Sequence, residues 1–162
     1  MKKFELTSET KINIFGKKLF RIKALISFAD VEAGETGGWV EKEGNVNQSG
    51  DAWVYGNAEV SGNAKVSGNA WVSDNAKVYG NAEVYGNAEV YGNADYTTIH
   101  GFGTQFRTTT FFRCKDKKVR VACGCFFGTI PEFREQVKNT RKGKIAEEYL
   151  MIADLMEKHF EK

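Results

Sequence analysis

From Gly56 to Thr97 small or aliphatic residues alternate with polar ones on a six-residue cycle. It reads GNAEVS, GNAKVS, GNAWVS, DNAKVY, GNAEVY, GNAEVY and GNADYT. Alternation at period two predicts short strands with one buried face, Ala and Val pointing in and the residue between them pointing out. The Gly-Asn pair predicts a corner, because Gly accepts positive φ and Asn tolerates it better than most residues. Upstream, GDAWVY at 50–55 keeps the cycle, GNVNQS at 44–49 keeps it loosely and GWVEKE at 38–43 barely.

Outside the cycle the periodicity changes. Residues 4–25 hold two alternating runs around Gly16-Lys17-Lys18, with Ile12, Ile14, Leu19, Ile22 and Leu25 apolar, which predicts a hairpin. Residues 31–40 are a Gly-rich approach to the first hexad. Residues 106–114 and 118–126 predict two strands around a Lys115–Lys118 turn. Thr129 and Glu132 spell a capping box with Pro131 in the first turn, and Ile130, Phe133 and Val137 form the apolar stripe of the helix that follows. A second helix over Lys144–Phe160 places Ile145, Tyr149, Ile152 and Met156 on one face.

An aliphatic residue every six positions (Val54, Val60, Val66, Val72, Val78, Val84, Val90) is joined by Ala four later (Ala58, Ala64, Ala70, Ala76, Ala82, Ala88, Ala94). This pattern resembles the hexapeptide repeats of left-handed parallel β-helix proteins, except that Gly falls one place later than usual. The resemblance implies a mainly β chain built on a short left-handed parallel β-helix. Residues 1–37 would form an N-terminal β-hairpin cap, 38–97 the repeat, and 98–162 a C-terminal α+β cap of a hairpin plus two helices.

Three hexads per coil, which that family implies, would stack residues 18 apart. Trp53, Trp71 and Glu89 then share one ladder, Glu59, Lys77 and Asp95 a second, and Lys65 and Glu83 a third. Opposite charges alternate on the last two, as neighbouring strands prefer. Asn57, Asn75 and Asn93, Asn63 and Asn81, and Asn69 and Asn87 would stack at the corners. About three coils, roughly 15 Å of height, leave two open ends that need caps.

The flanks, GGWVEKEGN with GDAWVYGNA in front and CGCFFGTIPEF behind, resemble a family of phage and prophage hexapeptide-repeat proteins of unknown function. That resemblance implies a viral origin and a host-cytoplasm setting, and it brings no catalytic residues.

Composition narrows the picture. At 162 residues, with Gly frequent and a single proline at 131, the chain predicts one folded body with small caps. It has no run of 18 apolar residues, and MKKFELTSETKINIF lacks the apolar segment of a signal peptide, so neither membrane nor export is expected. Three cysteines, an odd number, read as free thiols in a reducing cytoplasm. Charge is uneven: +2 over residues 1–37, −5 over 38–97 and +5 over 98–162. Such a split suits two partner surfaces, the two ends of a self-associating particle, or plain solvation.

Candidate chemistry is sparse. Trp53 and Trp71, with Tyr55 and Tyr91 beside them, stand at the outward place that elsewhere takes Glu, Lys or Asp. They are candidates for partner binding unless a flank folds over them. Arg113, Lys115, Lys117, Lys118 and Arg120, with Phe111 and Phe112 nearby, form a basic hairpin that reads either as a holder of single-stranded nucleic acid or as a solvated turn with its Phe in the core.

His100, expected in a loop past the last hexad, is the one candidate general base for a trimeric acyltransferase, although no long loop interrupts the hexads to build an acceptor pocket. His159 near a helix end reads as a favourable terminal charge. Cys114, Cys123 and Cys125 with His100 are weak metal candidates. Cys-x-Cys is not the usual knuckle, and on one strand Cys123 and Cys125 extend the apolar face of Val119 and Val121. No cofactor is expected.

The reading favours a non-catalytic phage-type scaffold that binds a host or phage protein, as a trimer or dimer. An inhibitor of a host defence system such as a CRISPR effector is its sharpest form. The rivals are the acyltransferase, a virion structural or assembly protein, and a nucleic-acid binder.

Overall fold

The computed structural model describes residues 1–161, and the chain divides into two compact units, Met1–Asn93 and Ala94–Lys162.

The first unit opens with the expected hairpin, β1 (Phe4–Ile12) antiparallel to β2 (Lys18–Ala24). Asn13 closes its turn, its Oδ1 accepting from the backbone N–H of Phe15 at 3.0 Å and of Lys17 at 2.9 Å. β3 (Thr36–Val40) pairs antiparallel with β2 and then parallel with the hexads. Each hexad contributes two strand residues: β4 (Trp53–Val54), β5 (Glu59–Val60), β6 (Lys65–Val66), β7 (Trp71–Val72), β8 (Lys77–Val78), β9 (Glu83–Val84) and β10 (Glu89–Val90).

These strands pair in parallel at the 18-residue spacing. Trp53 faces Trp71, Trp71 faces Glu89, Glu59 faces Lys77 and Lys65 faces Glu83. The Val and Ala positions from Ala52 to Val90 are buried, and Asn63 donates to Asn81 at 3.3 Å at one corner. Positive φ recurs at the corners, at +64° for Gly62 and +57° for Asp74, which stands where the other hexads have Gly. Asp is among the few side chains that accept this conformation.

The expected class, a short left-handed parallel β-helix, is corrected by the strand arrangement. The strands fall into four separate small sheets, none of which forms a solenoid: β1-β2-β3-β5-β8, β10-β7-β4, β6-β9, and a fourth in the second unit. The physical reason is the brevity of the hexad. Gly-Asn and its neighbours take up the corner, so only two residues per hexad remain to pair, and the largest ladder is completed by the antiparallel strands β1, β2 and β3. The fold is mainly β, with four small sheets and two C-terminal helices.

The last hexad also departs from the pattern. Ala94 is exposed within a 3-10 turn, Asn93–Asp95, and Asp95 pairs with Arg113 at 3.1 Å instead of extending a ladder.

Asn45 and Lys3 are polar residues buried where the flank meets the hexads. Asn45 donates to the carbonyls of Ala64 at 2.8 Å and Gly62 at 3.1 Å and accepts from Lys42 N–H at 2.9 Å. Lys3, 1 % exposed, donates to Ala52 O at 2.7 Å and Gly50 O at 3.2 Å. Burial lowers the Lys3 amine to about 8, against the opposing pull of Asp51.

Between pH 8 and the ordinary lysine value near 10.5 the unfolded chain therefore keeps a proton that the folded chain sheds, and folding strengthens as pH rises. Burial also pushes the Tyr55 phenol up to about 12, with Asp30 and Glu35 adding to it, which weakens folding only above its unfolded value near 10. Wild type should accordingly gain stability relative to Lys3→Met from pH 8 to 10 in denaturant titrations. A gap between the two that is flat with pH contradicts this.

The second unit is an antiparallel sheet of β11 (Tyr96–Phe102), β12 (Arg107–Arg113), β13 (Val119–Cys123) and β14 (Phe126–Thr129), followed by α1 (Ile130–Thr140) and α2 (Gly143–His159). The predicted capping box forms, with Thr129 N–H donating to Glu132 at 2.9 Å and Glu132 N–H to Thr129 Oγ1 at 3.4 Å. Phe111, Val121, Ile130, Phe133, Val137, Tyr149, Ile152 and Met156 make the core. Two strands were not anticipated. β11 replaces the expected loop around His100, and the expected strand 118–126 breaks at Gly124-Cys125 into β13 and β14.

Candidate functional site

The four aromatic candidates do not form one exposed face. Trp53 is fully buried, with Phe4 and Phe28 packed edge-on at 5.9 and 5.2 Å between ring centres, so the exposure on which its candidacy rested is absent. Trp71 and Tyr55 are half-buried and meet edge-on at 5.7 Å. Tyr91 is exposed, and its hydroxyl donates to Glu89 at 2.8 Å.

The apolar surface that does face solvent in this unit lies at the tip of the β1–β2 hairpin. Ile12, Ile14 and Phe15 are 65, 74 and 51 % exposed, although alternation had grouped Ile12 and Ile14 with the buried Leu19 and Ile22. Phe15 rests on the exposed ring of Tyr79, centres 4.9 Å apart, and Lys17 and Lys18 stand in solvent beside it. The sequence carried a signal for this site. Ile14 and Phe15 directly precede the turn glycine, Gly16, and residues at a hairpin tip project past the core that its base covers.

The basic hairpin is partly neutralised. Arg113 pairs with Asp95, donates to Phe160 O at 3.0 Å and lies over the Phe160 ring. Arg120 grips Asp116 through two bonds, at 3.0 and 2.9 Å, and that hydrogen bonding holds the Asp116 carboxyl below its usual range. Lys115, Lys117 and Lys118 are exposed, but Phe111 and Phe112 are fully buried and offer no ring to a base.

His100 sits on β11 opposite Thr108, with Nδ1 2.8 Å from the Thr108 hydroxyl, and lines neither the cleft walled by Phe102, Phe133 and Tyr149 nor the one walled by Ile130, Pro131 and Phe160. His159 is exposed in the last turn of α2, edge-on to Phe160.

Cys114 is buried, Cys123 ends β13 half-buried, and Cys125 is exposed in the following turn. The expected shared strand face for Cys123 and Cys125 is thus corrected: Gly124, at φ +59°, turns the chain between them. Among the described residues no group of three or more His, Cys, Asp or Glu side chains is placed to hold a metal ion, and no helix is long and apolar enough to cross a membrane.

Comparison with known proteins adds no relative: no protein-family model matches the chain and no curated protein matches it.

Proposed function

We propose that the chain is a non-catalytic protein-binding scaffold and that the β1–β2 hairpin tip is its contact surface. One observation carries the reading. Three large apolar side chains, Ile12, Ile14 and Phe15, stand together in water beside Tyr79, while the first unit buries Leu19, Ile22 and every hexad Val. Covering such a patch gains roughly 25 cal/mol per Å² of apolar surface, and clustered aromatic and aliphatic anchors carry most of the energy of protein interfaces. The turn is held by Asn13, so little ordering is left to be done on binding. Lys17 and Lys18 beside the patch suit a partner with an acidic rim.

The resemblance of the flanks to phage hexapeptide-repeat proteins points to a host protein in the host cytoplasm as the partner. A component of a defence system such as a CRISPR effector is the sharpest version. Self-association through the same tip is the competing occupant.

The test compares wild type with Ile14→Asp/Phe15→Asp in capture from bacterial lysate and in light scattering. Both substitutions lie on exposed side chains, so circular dichroism should be unchanged. The expected result is a partner held by wild type and lost by the variant. Loss of a dimer or trimer mass instead identifies the partner as a second copy. Identical captured proteins and identical mass for both sink the tip as a binding surface.

A further inference from the structure

A cleft in the second unit has a composition that neither its core nor the hairpin tip explains. It encloses about 230 Å³ between the β11–β12 loop, the β13–β14 turn and α1. Phe102, Phe126, Phe133 and Val137 give it apolar walls, and the Tyr149 ring reaches it from α2. Arg107 and Arg141 both line it, and no Asp or Glu does. Among the described residues neither guanidinium has a carboxylate partner; the Arg141 guanidinium donates to its neighbour's carbonyl, Thr140 O, at 3.3 Å. The unit's other buttressed arginines, Arg113, Arg120 and Arg134, are each paired with an acid.

Gly124 lies so close under the Arg107 guanidinium that a β-carbon there would collide with it, and Gly103 stands in the same relation to the Tyr149 hydroxyl. Both glycines have positive φ, at +59° and +79°. Phe106, beside Arg107, also adopts φ +51°, a conformation rare for a bulky side chain. Cys123 accepts from Thr109 at 3.2 Å at the base of the cleft. Burial, and then the neighbouring Cys123 thiol, raise the Tyr149 hydroxyl above its ordinary value, so it remains a neutral hydrogen-bond donor at physiological pH.

We propose that this cleft binds a small organic carboxylate with a ring-sized apolar body. The carboxylate lies against Arg107 and Arg141, and the body against Phe102, Phe126 and Phe133. Two uncompensated guanidiniums supply the charge complement, and charge-assisted bonds to carboxylates are their strongest contacts. The volume lies below the usual range for drug-sized ligands, which favours a single ring over a nucleotide.

The probe is 3-phenylpropionate, titrated into the full chain and followed by amide NMR shifts, with 3-phenylpropanol and inorganic phosphate as separate arms. The expected result is saturable shifts at Phe102, Arg107, Phe126 and Arg141 with the carboxylate. The alcohol loses the charged hydrogen bond and phosphate loses the apolar contact with Phe102, Phe126 and Phe133, so each should bind at least about tenfold more weakly. Arg107→Gln and Arg141→Gln should each weaken the carboxylate by about tenfold or more. Both side chains are exposed, so amide shifts outside the cleft should report an intact fold in at least one variant.

Three outcomes overturn the proposal. They are the absence of saturable shifts at these residues, equal binding of the alcohol or of phosphate, and carboxylate binding unchanged by both substitutions.

Discussion

Trp53→Ala should cost the first unit about 3–5 kcal/mol, the usual range for removing a buried tryptophan. Its indole is fully buried, flanked edge-on by Phe4 and Phe28 and pressed against β3, where a β-carbon on Gly37 would lie 2.7 Å from its Cζ2. All three tryptophans, at 39, 53 and 71, lie in Met1–Asn93, so their fluorescence reports this unit alone. Against a typical urea slope of about 1–3 kcal/mol per M, the midpoint should fall by at least about 1 M.

Trp53→Phe should lose much less. It keeps a ring between Phe4 and Phe28 and removes an indole N–H that is buried without an acceptor, a group that costs about 1–3 kcal/mol when left unmade. Trp71→Ala, at the same hexad place 18 residues later but half-buried, should cost under about 2 kcal/mol. Equal losses at Trp53 and Trp71 would contradict the packing described here.

Gly38→Ala should be nearly as damaging, by at least about 2 kcal/mol. Gly38 is where β3 docks onto the first hexads. A β-carbon there would lie 2.6 Å from Val54 Cγ1 and 2.7 Å from the Ala58 carbonyl oxygen. That same oxygen accepts from Trp39 N–H at 3.0 Å, so it cannot retreat without breaking the ladder. A side chain can change rotamer, whereas a backbone carbonyl held on both sides cannot. For a unit of this size the fluorescence melting temperature should drop by about 8–16 °C. Gly44→Ala is the control: its β-carbon would meet nothing within 4 Å, and the change should stay within about 0.5 kcal/mol. A Gly38 variant that melts with wild type refutes the close approach.

These two residues mark where the chain's pattern was informative and where it was not. The hexads gave the buried Val and Ala positions. With the coil length implied by the resemblance to hexapeptide repeats, they also gave the 18-residue spacing that pairs Trp53 with Trp71 and Lys65 with Glu83. The implied class did not hold, since two paired residues per hexad leave separate small sheets. The α1 cap was legible because Thr129, Pro131 and Glu132 act within one turn of each other. β14 was hidden because Gly124 breaks a run that reads as one continuous strand.

The candidate sites were less visible. The hairpin tip was not singled out, because alternation marks Ile12 and Ile14 as apolar on a strand and does not say how far the core beneath them extends. Arg113 and Arg120 looked free because Asp95 lies 18 residues away from Arg113 in sequence, and because the Asp116–Arg120 pair needs the turn to close.

The sequence by itself determined which side chains of each hexad point inward, where the corners fall, and where the first helix begins. All three follow from the dihedral preferences and spacing of adjacent residues. Only the tertiary structure decided which outward positions stay in water. Trp53 and Trp71 have nearly the same neighbours in the chain, yet Phe4 and Phe28 arrive over one and leave the other half open. That difference comes from segments 25 to 49 residues away, docked by burial of apolar surface, which no local period encodes.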